Sequence, residues 1–224
     1  MVAKRLGGAV LAALLVVPAA CSGGGGSSAS DEAPERVVTI GVEVPLAAGL
    51  TEFGLGIRNS VQLAVDQADA AGLIPGWTIE VKAIDDSSDP EVGGRNAAEL
   101  IDDSSVVAVI GPANSGVAAV VAPKFDEAGI AVISPANTDP VLTRGSDPVA
   151  PRRQYTNYQR MVATESQQGP FLARYAYEDA GFRRAAVVTD PRAVNRLQAG
   201  AFRAAFEEAG GQVPFYDVLA AAGG

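Results

Sequence analysis

The chain has 224 residues, of which 48% are hydrophobic and 6% aromatic, and its formal net charge at pH 7 is −9. This length and composition suffice for a buried core, and the acidic balance disfavours nucleic acid as a partner. The sequence contains no histidine, which excludes imidazole metal sites and Ser-His or Cys-His catalysis and favours a binding protein over an enzyme.

Residues 1–20 have the pattern of a bacterial export signal: two basic residues precede an apolar stretch that is too short to span a membrane. The only cysteine, Cys21, follows and resembles the acylated cysteine of a lipobox. Acylation would hold the chain on the outer face of the cell membrane. Pro18 stands where that motif usually has leucine, so an ordinary cleavage site with an unmodified cysteine is the alternative. Residues 21–35 are rich in Gly and Ser and predict a flexible tether.

Residues 36–150 alternate predicted strands and helices, which is typical of an α/β lobe with a parallel sheet. The predicted strands are 37–44, 77–84, 106–110 and 130–133, and the predicted helices are 51–71, 90–103 and 115–128. Asp89 and Pro90 predict the start of the second helix, with Asp89 as its N-cap. We expect this first lobe to be complete or nearly so.

Residues 151–224 predict a crossing between lobes and an incomplete second α/β lobe. The periodic pattern lapses into Pro, Arg and polar residues over 145–159. The predicted elements that follow are helix 165–180, strand 185–189, helix 192–209 and strand 213–219. Two strands and two helices bury too little surface for a complete lobe, so we expect a truncated chain.

Two short loops follow predicted buried strands and open the next element. The first is Gly-Pro-Ala-Asn-Ser-Gly over 111–116, and the second is Ser-Pro-Ala-Asn-Thr over 134–138. In an open α/β sheet such loops lie at the carboxyl ends of the strands, where small ligands bind. Both loops carry hydroxyl groups and no charge, which suits the binding of a small polar molecule better than chemistry on it.

These loops and several other runs resemble the extracytoplasmic solute-binding proteins of branched-chain amino acid ABC transporters, which have the type I periplasmic binding protein fold. The resemblance extends over about 38–210. The other runs are Ile40-Gly41-Val42, Pro45-Leu46, Phe53-Gly54, Asn59 to Ala64, Asp85 to Pro90, Gln168-Gly169-Pro170 and Phe202 to Gly210. The resemblance implies two α/β lobes that close over an amino acid, an ABC permease as partner, and no enzymatic activity.

The resemblance also implies a set of ligand contacts. Ser115 matches a serine that binds the ligand carboxylate, and with Gly116 it lies at a helix start, where N–H groups and the helix dipole attract an anion. Ala136 matches a position whose carbonyl accepts from the ligand ammonium, and Thr138 one whose hydroxyl and amide bind near the same end. Phe53 matches an aromatic residue, often Tyr, that covers the ligand. The structural alternatives are a helix cap at Ser115, an ordinary turn in the second loop and a core aromatic at Phe53.

Other interpretations stay open. Val194 replaces an expected tyrosine, which weakens a leucine-like assignment and leaves a receptor for amides, urea or other small polar ligands as an alternative. A sensory ligand-binding domain is a further one, because fold does not imply function. Asp85, Asp86 and Asp89 could form a cation site, but solvated carboxylates and a helix cap are the favoured interpretation. No motif for a cofactor or a metal was found in the sequence.

Overall fold

The structure is a computed structural model that describes residues 36–48, 50–147 and 149–220. The predicted signal peptide, Cys21 and the tether lie outside the described residues and stay predictions. Within the described ranges, no helix is both long and apolar enough to cross a bilayer.

Strands and helices alternate along the chain, and the predicted elements are found to within about two residues, except that the α-helix predicted over 165–180 ends at Arg174. The strands are β1 (Arg36–Val44), β2 (Trp77–Asp85), β3 (Val106–Ile110), β4 (Ala131–Ser134), β5 (Tyr158–Arg160), β6 (Arg184–Thr189) and β7 (Gln212–Val218). The helices are α1 (Thr51–Ala70), α2 (Pro90–Asp102), α3 (Ser115–Ala128), α4 (Val141–Arg144), α5 (Glu165–Arg174) and α6 (Ala193–Glu208). A π-helical turn, Tyr175–Asp179, continues α5.

The strands form two parallel sheets, which confirms the predicted α/β class. The first sheet has the order β2-β1-β3-β4-β5, and the second consists of β6 and β7. The chain leaves β1 toward β2 on one side and reaches β3 on the other, so the strand order reverses beside β1. Ligands bind at such a switch point in open α/β sheets. The loops after β3 and β4 therefore share one edge with the end of β1.

The core of the first lobe lies between the sheet and the α2–α3 pair. Its fully buried side chains include Leu100, Val109, Val121, Phe125 and Tyr158. The two helices approach so closely that a Cβ on Gly93 would lie 2.4 Å from the Val117 side chain. Because this core reaches up to the start of α3, the first loop rests on closely packed side chains.

In the second lobe, α5 and α6 pack tightly on each other at Gly169, where a Cβ would lie 2.8 Å from the Ala201 side chain. Phe206 is fully buried and stacks on Phe202 with a centroid separation of 5.4 Å. The sheet contributes less, because Phe215 of β7 remains half exposed. The fully buried apolar side chains of this lobe, Ala173 and Phe206, both lie on the helix pair.

Candidate functional site

The first loop joins β3 to α3 and requires glycine at its start. Gly111 has φ of +130°, and a Cβ there would lie 2.1 Å from the carbonyl oxygen of Glu43. The N-cap of α3 is Asn114, which makes no side-chain capping hydrogen bond, so the alternative that Ser115 caps this helix is wrong. The first N–H groups of a helix have no partner within it. The amides of Ser115 and Gly116 therefore form a positive helix end beside the loop.

The second loop is held against the first by buried side chains. The Ser134 hydroxyl donates to the Pro112 carbonyl at 2.9 Å and accepts from the Asn137 N–H at 2.9 Å. The Asn137 side chain donates to the Ala113 carbonyl at 2.9 Å and accepts from the Tyr158 hydroxyl at 2.6 Å. The buried hydrogen bonds of Ser134 and Asn137 therefore hold the two loops in a fixed position relative to each other.

Ser115 lies next to the second loop. The Asp139 N–H donates to its hydroxyl oxygen over 3.4 Å, which is a long hydrogen bond. The Ser115 hydroxyl thereby retains its own proton for another acceptor. Asp139 follows Thr138 directly, so the structure brings the predicted contacts on the first loop together with those on the second. Gly116 is open on its outer side, where a Cβ would approach no closer than 4.0 Å to Pro90.

Thr138 is hydrogen-bonded to Glu165, a residue of the second lobe. Its hydroxyl donates to a carboxylate oxygen of Glu165, and its carbonyl accepts from the Glu165 N–H at 3.1 Å. Glu165 is the first residue of α5 and is only 3% exposed. These two bonds join the second loop of the first lobe to the first helix of the second lobe.

Arg160, at the end of β5, holds the residues on either side of Thr138. Its guanidinium donates to the Asn137 carbonyl at 2.8 Å, to the Asp139 carbonyl at 2.7 Å and to the Thr143 hydroxyl at 3.0 Å. Burial lowers the pKa of Arg160, and the neighbouring charge of Glu165 opposes that effect. The backbone of the second loop is thus fixed by a cation behind it.

Phe53 occupies a different part of the edge. It is 49% exposed, so the alternative of a core aromatic is wrong. Phe53 and Pro135, the residue before Ala136, line one apolar groove of about 710 Å³ between α1 and the sheet. The close contact of α1 with the β1 end depends on Gly54, where a Cβ would lie 1.8 Å from the Pro45 carbonyl oxygen.

A buried acid pair lies below the two loops. Glu43 at the end of β1 is fully buried, and burial together with the charge of Asp86 raises its pKa to about 8. Asp86 is also fully buried, which raises its pKa, so the prediction of a solvated carboxylate at this position is wrong. Asp89 is confirmed as a helix cap, because it accepts from the N–H groups of Glu91 and Val92. Among the described residues, no group of three or more His, Cys, Asp or Glu side chains is arranged to hold a metal.

Sequence reasoning missed the residues that hold the loops in place. The sequence indicates Asn137 only as a turn residue. Tyr158 lies in the stretch without periodic pattern, and Arg160 follows directly after it. Glu165 was assigned only to a helix start. Their partners lie 21 to 27 residues away in the chain, so no local spacing could have identified them.

Comparisons with known proteins agree with the resemblance drawn from the sequence. A family model described as "Periplasmic binding protein" matches residues 37–221. The Leu/Ile/Val-binding protein BraC3 of Rhizobium johnstonii is 31% identical over 173 residues, which are 77% of this chain and 45% of that protein. The chain therefore spans about half the length of the curated relatives it matches.

Solved structures give the same result. LivJ of Streptococcus pneumoniae, a branched-chain amino acid transporter substrate-binding protein in complex with isoleucine, superposes with a TM-score of 0.74 at 27% identity. The match covers 84% of this chain and 51% of that chain. The leucine-binding protein LivK of Thermotoga maritima superposes with a TM-score of 0.69 at 26% identity, covering 83% of this chain and 50% of the other. These matches confirm the type I periplasmic binding protein fold.

Proposed function

Because the chain belongs to the periplasmic binding protein family, we propose that it is an extracytoplasmic receptor that captures amino acids of the branched-chain type for an ABC importer. Its relatives include a Leu/Ile/Val-binding protein, and LivJ holds isoleucine. In this proposal the chain binds its ligand without transforming it and delivers it to a membrane permease. An acyl chain on Cys21 keeps the receptor at the outer face of the membrane.

The observation that carries this proposal is the pairing of two loops of opposite polarity. The α3 N-terminus offers the amides of Ser115 and Gly116 and the Ser115 hydroxyl, which suit a carboxylate. The second loop offers the Ala136 carbonyl and the Thr138 oxygen, which suit an ammonium. The hydrogen bond between Asp139 and Ser115 sets the two ends side by side. An α-amino acid carries both charges on one carbon and matches that arrangement.

Titration calorimetry with leucine, isoleucine and valine tests this proposal through Ser115→Ala. A hydrogen bond to a charged group contributes roughly 1.5–3 kcal/mol, so the loss of the hydroxyl should weaken binding about ten- to a hundredfold. Ser60→Ala is the matched control, because its exposed hydroxyl donates to the Gly56 carbonyl within its own helix. The proposed carboxylate site would be contradicted if Ser115→Ala bound every amino acid with the same affinity as the wild type.

A receptor for amides, urea or other small polar ligands is the second candidate. Val194, in the first turn of α6, replaces the aromatic residue that the resemblance leads us to expect there. A ligand panel read as thermal shift separates the candidates, since a ligand that binds only the folded state raises its apparent stability. A shift with amides and none with amino acids would favour the second candidate.

A further inference from the structure

Glu165 controls both polar groups of Thr138. The Thr138 hydroxyl donates to one carboxylate oxygen, and the Glu165 N–H donates to the Thr138 carbonyl at 3.1 Å. The second carboxylate oxygen is buried and has no hydrogen-bond partner among the described residues. A side chain from the second lobe thus determines how a predicted ligand contact of the first lobe is oriented.

The carboxylate determines the direction of the Thr138 hydrogen bond. An ionised carboxylate can only accept, whereas a hydroxyl has one proton and two lone pairs. Since that one proton goes to Glu165, the Thr138 oxygen can only accept from any further group. The hydroxyl therefore presents lone pairs, rather than a donor, to a ligand.

Arg160 supports this arrangement electrostatically. The charge of Glu165 acts on the guanidinium, which is half-buried. The Nε of Arg160 and the second carboxylate oxygen of Glu165 are both buried, and neither has a partner within the described part of the chain. The guanidinium of Arg160 therefore lies close enough to Glu165 for the two groups to interact electrostatically.

Arg160 and Glu165 also donate hydrogen bonds to the backbone carbonyl groups around Thr138. The carbonyls of Asn137 and Asp139 accept from Arg160, and the Thr138 carbonyl accepts from the Glu165 amide. Two acceptors here that receive no hydrogen bond from Arg160 or Glu165 are the Thr138 hydroxyl oxygen and the Ala136 carbonyl. A ligand group that binds to these two atoms must therefore donate hydrogen bonds.

We propose that Glu165 is a positioning residue that fixes the Thr138 hydroxyl as an acceptor and so makes the second loop select ligands that carry an ammonium group. The inference rests on the proposed amino acid binding and deepens it. The negative charge of the carboxylate, one hydrogen bond behind the ligand contact, adds to the preference for a cationic donor.

The test compares leucine with 4-methylpentanoate, which has the same carboxylate and side chain and lacks the amine. Titration calorimetry of the full 224-residue chain gives the ratio of the two dissociation constants. In Glu165→Gln, the carboxamide has nearly the same shape but no charge, and it can donate to the Thr138 oxygen. We expect affinity for leucine to fall about tenfold or more, while affinity for 4-methylpentanoate changes less than twofold.

Thr138 variants separate positioning from a general structural role. In a Thr138→Val background, the Glu165→Gln substitution should have no further effect on leucine, because the hydroxyl that it orients is absent. Thr138→Ser retains the hydroxyl and should keep the preference for leucine, which gives a readout that does not depend on the folding of Glu165→Gln. Glu178→Gln, an exposed acid in the π-helical turn, is the matched control and should change neither affinity.

The outcomes separate the inference from the proposed function. Equal weakening of leucine and 4-methylpentanoate in Glu165→Gln, an undiminished effect in the Thr138→Val background, or equal loss in Thr138→Ser and Thr138→Val overturns the positioning role alone. A wild-type chain that binds neither compound nor any other amino acid overturns the proposed function and this inference with it.

Discussion

The two lobes bury their apolar side chains to very different extents. In the first lobe, Val109 and Phe125 are fully shielded between the sheet and the α2–α3 pair. In the second lobe, Phe215 and Val188 of the sheet are 52% and 54% exposed, and burial is concentrated where Phe206 packs between the helices. The first lobe therefore has a core of its own, whereas the second depends on one helix pair.

This difference explains where the candidate site lies. Both loops rise from the lobe with the closed core, and Ser134 and Asn137 fix them to each other by buried hydrogen bonds. Binding residues are commonly carried on loops that a rigid scaffold positions. The second lobe contributes Glu165, the first residue of α5, which is bonded to Thr138 of the second loop.

The largest expected effect on stability is that of removing a buried side chain from the core of the first lobe. Phe125→Ala removes a fully buried aromatic ring and should lower the free energy of unfolding by about 3–5 kcal/mol. Phe215→Ala is the matched change in the second lobe and should cost about 1 kcal/mol or less, because that ring is already half exposed. Urea unfolding of the two variants measures both values. Equal costs would show that the two lobes share one cooperative core.

The regular elements of both lobes could be predicted from the sequence, and the reason is local. Apolar runs such as Val106 to Ile110, and the Asp89-Pro90 helix start, carry their structural information within a few residues. The strand Tyr158–Arg160 could not be predicted, because three residues with two polar side chains show no period. It forms by pairing with β4, more than twenty residues earlier in the chain.

The candidate site was predicted only in part for a related reason. Ser115 and Thr138 follow buried strands and can be found from that position. Glu43 could not be recognised as a buried acid, because an acid near the end of an apolar strand has the same local pattern as an exposed one. Its burial depends on contact with α2, since a Cβ on Gly93 would lie 3.4 Å from the Glu43 carboxylate.

The buried acid Glu43 should make the first lobe sensitive to pH. Its pKa is raised from 4.5 to about 8, so the folded chain keeps a proton that the unfolded chain has lost above about pH 5. Stability should therefore fall as the pH rises from 5 to 8, by about 1.4 kcal/mol per pH unit for one proton. Glu43→Gln resembles the protonated acid and should flatten this slope. Urea unfolding at pH 5.5, 6.5 and 7.5 measures it.

The second lobe supplies the control for this slope. Hydrogen bonding to Arg192 lowers the pKa of Asp190, so its contribution is present above its ordinary pKa and is lost only as the pH falls through the lowered value. Asp190→Asn should therefore leave the slope between pH 5 and 8 unchanged. A slope that persists in Glu43→Gln and disappears in Asp190→Asn would contradict the assignment of this pH dependence to the first lobe.

The smallest expected effect concerns the helix starts of the two lobes. Asp89 caps α2 by accepting from the N–H groups of Glu91 and Val92 at 2.7 and 3.1 Å, and Asp89→Ala should cost about 1 kcal/mol. Arg192 stands at the N-cap of α6 and makes no side-chain capping bond. It contributes only an exposed ion pair with Asp190, so Arg192→Ala should cost roughly half as much or less.

Thermal unfolding of Asp89→Ala and Arg192→Ala, monitored by circular dichroism under one buffer condition, compares the two helix starts. A larger loss of stability in Asp89→Ala than in Arg192→Ala means that the Asp89 side chain stabilises the N-terminus of α2. The N-cap residue of α3, Asn114, makes no side-chain capping bond. Helices α2 and α3 begin at the same edge of the first sheet, and of the two only the α3 end lacks a side-chain capping bond, which leaves its N–H groups for an external anion. Equal losses in the two variants would show that the Asp89 cap contributes no more to stability than the exposed ion pair of Arg192.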